Sequence, residues 1–386
     1  MSRLNVFMYP ISPDYSGAAA ALFDLGGITV MHDASGCTGN YTGYDEPRWL
    51  GSRSATYCSG LRRMDAVLGN DEKYIQRTIR AAKGLNPTVI CFLGSPVPIL
   101  IGTDLKGMAM EVEAETGIPS FGFETSGQGY YDKGASDVFL ALTKRFCKGK
   151  RTEHGTDKLR VNLLGMLPID FGNRGNLREI PAFLETQGME INANYASGLT
   201  LGQIRNACDA DWNLVMLRSG MALAKYMEKK YEMPYFCGVP LGDGTQVLNE
   251  FEKARAGERG EAGNHPGRGK SILILHEQVF ANSLRENLRM FASDIPVCVG
   301  SLIGLEPSLS EPGDLDLNLE SELMRELNSG KYAAVIGDPE LRRVLRRDDV
   351  RLLPLPHVAV SSKLHWDEYP AYLGDELPTL LREALT

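Results

Sequence analysis

No apolar run in this chain approaches the ~20 residues that a helix needs to cross a bilayer, so a helical membrane span is not expected. Excess positive charge is lacking too. Forty-one lysines and arginines against 49 acidic residues give a net charge of −8, which argues against non-specific nucleic-acid binding. The seven cysteines, an odd number, have no disulfide-framework rhythm, so a reducing compartment is expected. Met1-Ser2-Arg3-Leu4 shows no signal-peptide pattern and leads into a strand-like Asn5–Tyr9, which makes the cytoplasm the expected location. A phosphate cradle is also missing. The run Gly267-Arg268-Gly269-Lys270-Ser271 has Asn264 where the motif requires glycine, and its strand follows the loop instead of preceding it. The chain is therefore not expected to bind ATP itself.

What is present is the composition of a globular protein, with 43% hydrophobic and 23% charged residues in a chain of 386, enough for two or three domains. Apolar strands alternate with helical spacing. Asn5–Tyr9, Ile28–Met31, Val89–Leu93 and Ser120–Phe123 read as strands, with helices over Ser16–Leu25, Glu72–Lys83 and Leu105–Thr116, the last closed by Gly117. After a charged linker, Lys148–Lys158, the pattern restarts. Strands are expected at Leu159–Met166, Glu190–Ala193 and Asn213–Leu217, and helices at Asn176–Thr186, Leu201–Ala207 and Met221–Lys230. Glu252–Lys270, rich in Gly, Arg and Glu, is the stretch expected to lack order. A third set follows, with strands Ser271–Leu275, Ile295–Val299 and Ala333–Ile336 and a helix over Ala281–Ala292. The reading is α/β: three Rossmann-like units with parallel sheets at 1–150, 158–250 and 270–358 around a central cleft. Residues 359–386 form a C-terminal segment, with Trp366–Leu385 a helical region packing back on an earlier unit.

The chain is organised around residues 28 to 60. The strand Ile28–Met31 breaks at His32-Asp33-Ala34-Ser35-Gly36, and Cys37 follows between two turn clusters. Cys58 lies in a second small, polar stretch. A free cysteine is most often a small buried hydrophobe. A thiolate on a glycine-flanked loop, however, can be approached closely by a bulky inorganic group. Cys37 and Ser95 both fall just past strand ends, the edge at which parallel sheets bind ligands.

His32 to Trp49, Asp65-Ala66-Val67-Leu68-Gly69 and Asn86 through Gly94 together resemble the first domain of the nitrogenase component 1 proteins. That family includes nitrogenase subunits, dark-operative protochlorophyllide reductase subunits and the nickel-tetrapyrrole reductive cyclase. The likeness continues through Asp104–Ala109, Arg218-Ser219 and Tyr226–Tyr231 to Pro356-His357. It implies an iron–sulfur cluster at a subunit interface with Cys37 as a ligand, and electrons from a separate iron protein that hydrolyses ATP. A cubane takes four protein ligands, and one chain offers Cys37 and Cys58, so the expected arrangement is a homodimer sharing one [4Fe-4S] cluster on its twofold axis.

The departures from the family matter as much. Pro13 stands where its first cluster cysteine belongs, and Gly94-Ser95-Pro96 where its third belongs, which excludes an eight-iron cluster on six cysteines. Met216 replaces the cysteine that holds the large nitrogenase cofactor, so dinitrogen reduction is not expected. Cys91 lies within a strand and reads as core. Cys237 reads equally as a cleft ligand or as packing.

His32, His276, His357 and His365 read first as structural residues. His276, after a strand, and His357, in Pro354-Leu355-Pro356-His357, are the candidate proton donors, since histidine titrates near neutral pH. Tyr41, Tyr44 and Trp49 are candidate dimer-interface aromatics. The leading reading is an iron–sulfur oxidoreductase subunit acting on a small-molecule or tetrapyrrole substrate in the interdomain cleft. Its rivals are a metallocluster scaffold or carrier without turnover, and a cluster-free small-molecule binding protein.

Overall fold

The computed structural model describes residues 5–49, 54–149, 158–172, 175–258, 269–291 and 294–384. Its strands form three sheets, every pairing parallel. The first holds β1 (Ile28–Met31), β2 (Ala55–Cys58), β3 (Ile90–Leu93) and β4 (Ser120–Phe123) in the order β2-β1-β3-β4. The second repeats that order as β6-β5-β7-β8, with β5 (Leu159–Leu164), β6 (Met189–Asn194), β7 (Trp212–Val215) and β8 (Tyr235–Cys237). The third is wider. It runs β11-β10-β9-β12-β13 through β9 (Ser271–Leu275), β10 (Val297–Ser301), β11 (Leu315–Asp316), β12 (Tyr332–Gly337) and β13 (Arg351–Pro354). In each sheet the order reverses beside the first strand, and ligands of such sheets bind beyond the carboxyl ends at that crevice.

Sequence explains the strands best where both faces are covered. β1 and β3 are buried along their whole length, the continuous apolar pattern of a helix-covered parallel sheet. Asp104 opens the helix Leu105–Thr116 by accepting the Gly107 N–H, and Gly117 closes it in the left-handed conformation. The strand expected at Asn5–Tyr9 does not form. These residues bend, and the N–H groups of Val6, Phe7 and Met8 all donate to the Glu320 carboxylate, at 2.7, 2.8 and 2.7 Å. Of the stretch expected to lack order, residues 252–255 finish a helix, Thr245–Arg255, and 259–268 lie outside the described residues. Gly267-Arg268 of the phosphate-loop reading, most of the 148–158 linker and Ala292 lie outside them as well.

The long helix Tyr131–Phe146, which spacing alone did not mark, organises the first unit. It packs on Asp14–Leu22, whose run Ala18–Ala21 is small enough for close approach. A Cβ on Gly17 would sit 1.8 Å from the Tyr131 carbonyl oxygen, and one on Gly134 1.8 Å from that of Asp14. Behind Glu376–Ala384, the final helix, Tyr372 reaches the second unit through its hydroxyl, which donates to the Asp170 carbonyl at 3.1 Å.

Candidate functional site

Both expected cysteine ligands lie at the carboxyl edge of the first sheet, arranged about Asp33. Cys58 is the last residue of β2, paired with Met31 of β1, where a loop had been expected. Its Sγ donates to the Asp33 carbonyl (3.4 Å) and accepts the Gly60 N–H (3.3 Å). Cys37 sits in the first turn of a short helix, Gly36–Asn40, again not a loop. The Asp33 carboxylate accepts the N–H groups of Ala34 (2.7 Å) and Thr38 (3.1 Å), which holds that turn in place. Burial pushes the Cys37 thiol up, while hydrogen bonds with Tyr15 and Ser95 oppose the shift. Ser95 in turn donates to the His32 carbonyl at 2.9 Å, bridging the ends of β1 and β3. A Cβ at Gly36, Gly39 or Gly60 would meet nothing within 4 Å, so the surroundings of both thiols are open.

These residues fit a thiolate-bound group, though only in part. An N–H aimed at Cys58 and hydroxyls at Cys37 are donors of the kind that stabilise thiolate sulfur. Among the described residues, however, no three His, Cys, Asp or Glu side chains are grouped to hold a metal ion. Among the described residues, one chain thus presents two sulfur donors and no grouped third ligand.

Of the three aromatics expected at a dimer interface, Tyr41 belongs to the core of its own chain. Tyr41 is fully buried and donates to Glu46 (3.1 Å), and Trp49 packs edge-on against Phe23 and Tyr41. Only Tyr44 is substantially exposed. The apolar surface lies elsewhere on this unit: Met64, Val67 and Leu68 in the helix that follows Cys58, and Val97, Leu100 and Ile101 after Ser95.

The two candidate histidines come together far from these cysteines in sequence. His276 follows β9, and its ring stacks on His357 at 4.3 Å with 20° between planes. His357 Nε2 lies 2.9 Å from Asp170 Oδ1 and 3.3 Å from the Tyr131 hydroxyl, which donates to the same carboxylate oxygen. Burial lowers both rings, His357 to about 3 and His276 well below its usual value with His357 adding to the effect. With both rings lowered by burial, titration near neutral pH supports a proton-donor role for neither. Burial raises Asp170 well above the carboxylate range and brings Glu277 to about 8. Glu277 accepts the N–H groups of Arg218 (2.7 Å) and Phe280 (3.0 Å), and Arg218 pairs with Asp132 at 2.5 Å. Sequence reading missed Tyr131, Asp170 and Glu277, because three units separated along the chain contribute them. The void against His276 and His357 is only about 10 Å³, too small to hold a substrate at that point.

The remaining candidates stand apart. His32 is buried edge-on against Tyr74, 4.8 Å between centroids, and burial lowers it. His365 pairs with Glu340 and Glu368. Cys91 is buried in β3, Cys237 contacts the Met221 sulfur at 3.7 Å, and Met216 is buried at the end of β7.

The sequence profile of the nitrogenase component 1 type oxidoreductases matches residues 13–246. The chain belongs to that family. It is 26% identical over 194 residues to a light-independent protochlorophyllide reductase subunit of Chlorokybus atmophyticus, covering 48% of this chain and 38% of that one. It is 25% identical over 237 residues to the nitrogenase iron-molybdenum cofactor biosynthesis protein NifE of Methanosarcina barkeri, covering 57% and 50%. The match thus spans half or less of these relatives' own length. Among solved structures, nitrogenase Cp1 at pH 6.5 superposes with a TM-score of 0.72 at 13% identity, covering 100% of this chain and 93% of that one. At that identity the likeness shows the fold. No helix among the described residues is long and apolar enough to cross a membrane.

Proposed function

We propose that the chain is a nitrogenase-like reductase subunit, active as a homodimer whose two copies hold one [4Fe-4S] cluster through Cys37 and Cys58 of each. The observation that carries this reading is the pair of open thiols at one sheet edge, with no third ligand grouped beside them among the described residues. A second copy related by a twofold axis supplies the missing two. The exposed apolar residues Val67 and Leu68, in the helix after Cys58, and Leu100, after Ser95, favour the same assembly, since exposed apolar patches mark interaction sites.

When bound, such a cluster supplies one electron at a time at low potential. The chain's own residues do the rest. Asp33 holds the Cys37 turn through its carboxylate and faces the Cys58 sulfur with its carbonyl, Gly60 and Tyr15 donate toward the sulfurs, and the partner copy excludes water. The electron donor in this reading is a separate iron protein that hydrolyses ATP. Because the void beside His276 and His357 is so small, the substrate is not assigned there.

Anaerobic purification followed by iron and sulfide analysis tests the reading, with sedimentation to fix the oligomer. About four irons per two chains are expected, the content of one cubane. Iron near eight per pair, or a monomer with full iron, would sink the shared cluster.

A cluster carrier without turnover is the second reading. The likeness to a cofactor biosynthesis protein favours it. ATP-dependent reduction by the reconstituted system separates the two.

A further inference from the structure

Near Cys37 the fold forms an open pocket of about 520 Å³, within the ~300–1,000 Å³ usual for small-molecule sites. Three stretches build its walls: residues 9–15, the turn from Asn40 to Asp45, and residues 358–364. They are tied to one another. The Ser12 N–H donates to the Ala359 carbonyl, and the Ser362 hydroxyl to the Tyr44 carbonyl, both at 2.9 Å. The three N–H bonds to Glu320 anchor the chain just before the first wall.

One charged side chain in this lining is itself buried. Asp45 is 3% exposed and ends a π-helical turn, Tyr41–Asp45, a rare geometry found mostly at functional sites. Its Oδ2 accepts the Ser16 hydroxyl at 2.7 Å and the Asn40 amide at 2.8 Å, and Ser12 also hydrogen-bonds the carboxylate. A carboxylate has room for about four hydrogen bonds. Neighbouring buried carboxylates are committed to the fold. Asp14 accepts the backbone N–H groups of Ser126, Gly127 and Gly129, Asp33 holds the Cys37 turn, and Glu46 is paired with Arg48. Asp45 has no ion-pair partner among the described residues. Lys363 lines the cavity from an exposed position, its ammonium 4.3 Å from the centre of the Tyr44 ring, where water screens it.

We propose that this cavity binds a planar organic ligand, an amine or aza-heterocycle, that presents an N–H donor to Asp45 and lays its rings against Tyr15 and Tyr44. An anionic ligand of the same shape would meet a buried carboxylate of like charge. Tyr15 lines the cavity and is hydrogen-bonded to the Cys37 thiol, and Asn40 closes the short helix that carries Cys37. The ligand therefore sits one side chain from that cysteine. As the substrate site of the reductase it rests on the proposed cluster, whereas binding itself does not.

Fluorescence titration of the full chain tests this, with 9-aminoacridine as a planar cationic probe and 1-anilinonaphthalene-8-sulfonate as an anionic one. One 9-aminoacridine per chain is expected. Asp45→Asn should raise its Kd roughly tenfold or more, the scale of losing a charge-assisted hydrogen bond. Tyr44→Ala removes a substantially exposed ring with little call on folding, and should raise Kd about threefold or more, as expected for a lost aromatic contact. If Asp45→Asn does not fold, Tyr44→Ala and the choice between probes decide. Equal affinity for the two probes, or an unchanged Kd in a folded Asp45→Asn protein, overturns the site. Iron content read in parallel keeps the two readings apart. An iron-free Cys37→Ser chain that still binds the probe, and loses it with Asp45→Asn, supports the cavity without the cluster. A chain with full iron that does not bind the probe removes the cavity and leaves the cluster.

Discussion

The rings of His276 and His357 stack at 4.3 Å, one from the end of β9 and the other from the segment after β13, and seal the centre of the molecule. His357 has an ordinary value of 6.5 and about 3 in the fold, so between those limits the unfolded chain holds the proton and the folded chain does not. Stability therefore falls as pH drops through that window. Glu277 works in the opposite sense. Raised from 4.5 to about 8, it keeps its proton only in the folded chain between those values, and stability falls as pH rises through them. Urea unfolding across pH should show His357→Gln flattening the acid limb between pH 6 and 4, and Glu277→Gln flattening the limb between 5 and 8. Each change should be on the order of 1 kcal/mol per pH unit, one proton's worth. Profiles identical to the parent would mean the two groups titrate alike in both states.

Cys37→Ser and Cys58→Ser should each abolish the visible iron–sulfur absorption, while Cys91→Ala, deep in β3, should leave it intact. Absorption spectra of anaerobically purified variants decide. Bleaching by Cys91→Ala alone would reverse the ligand assignment.

Leu100 is 84% exposed and Tyr41 is fully buried, so acidic substitutions should separate assembly from folding. Leu100→Asp should give a monomer of nearly parental stability and reduced iron. Tyr41→Asp places a charge in the core and should cost about 3 kcal/mol or more. Sedimentation beside thermal unfolding distinguishes them. A dimeric, iron-replete Leu100→Asp protein would move the interface elsewhere.

Gly17→Ala should lower the urea midpoint by about 1–3 kcal/mol of stability, because the added methyl meets backbone rather than a movable side chain. An unchanged midpoint would show that the helix Asp14–Leu22 can slide along Tyr131–Phe146 without loss.

Lys270 pairs with Asp349 at 2.9 Å, both largely exposed. Lys270→Ala should therefore leave any ATP-dependent activity unchanged and shift stability by under about 0.5 kcal/mol. Tight ATP binding by the isolated chain, lost in this variant, would contradict it.

The sequence by itself determined most of the α/β rhythm. β9 and the helices Leu105–Thr116 and Asn176–Thr186 lie where periodicity put them, because burial on one face or on both leaves a pattern along the chain. It also brought out the short glycine-flanked stretch around Cys37 and the missing partners at Pro13, Ser95 and Met216. Asn5–Tyr9 failed because its apolar look serves an anchor on Glu320, and Ala55–Cys58 was missed because a short, half-buried edge strand shows little alternation. Only the tertiary structure decided that Tyr41 faces its own core, that Asp33 joins two cysteines, and that His276, His357, Asp170 and Tyr131 share one buried junction. The last of these relations depends on three sheets meeting at their carboxyl edges, whereas the first two form within the first unit. The burial that shifts each of these groups away from its ordinary pKa arises at that meeting, and nothing local in the chain encodes it.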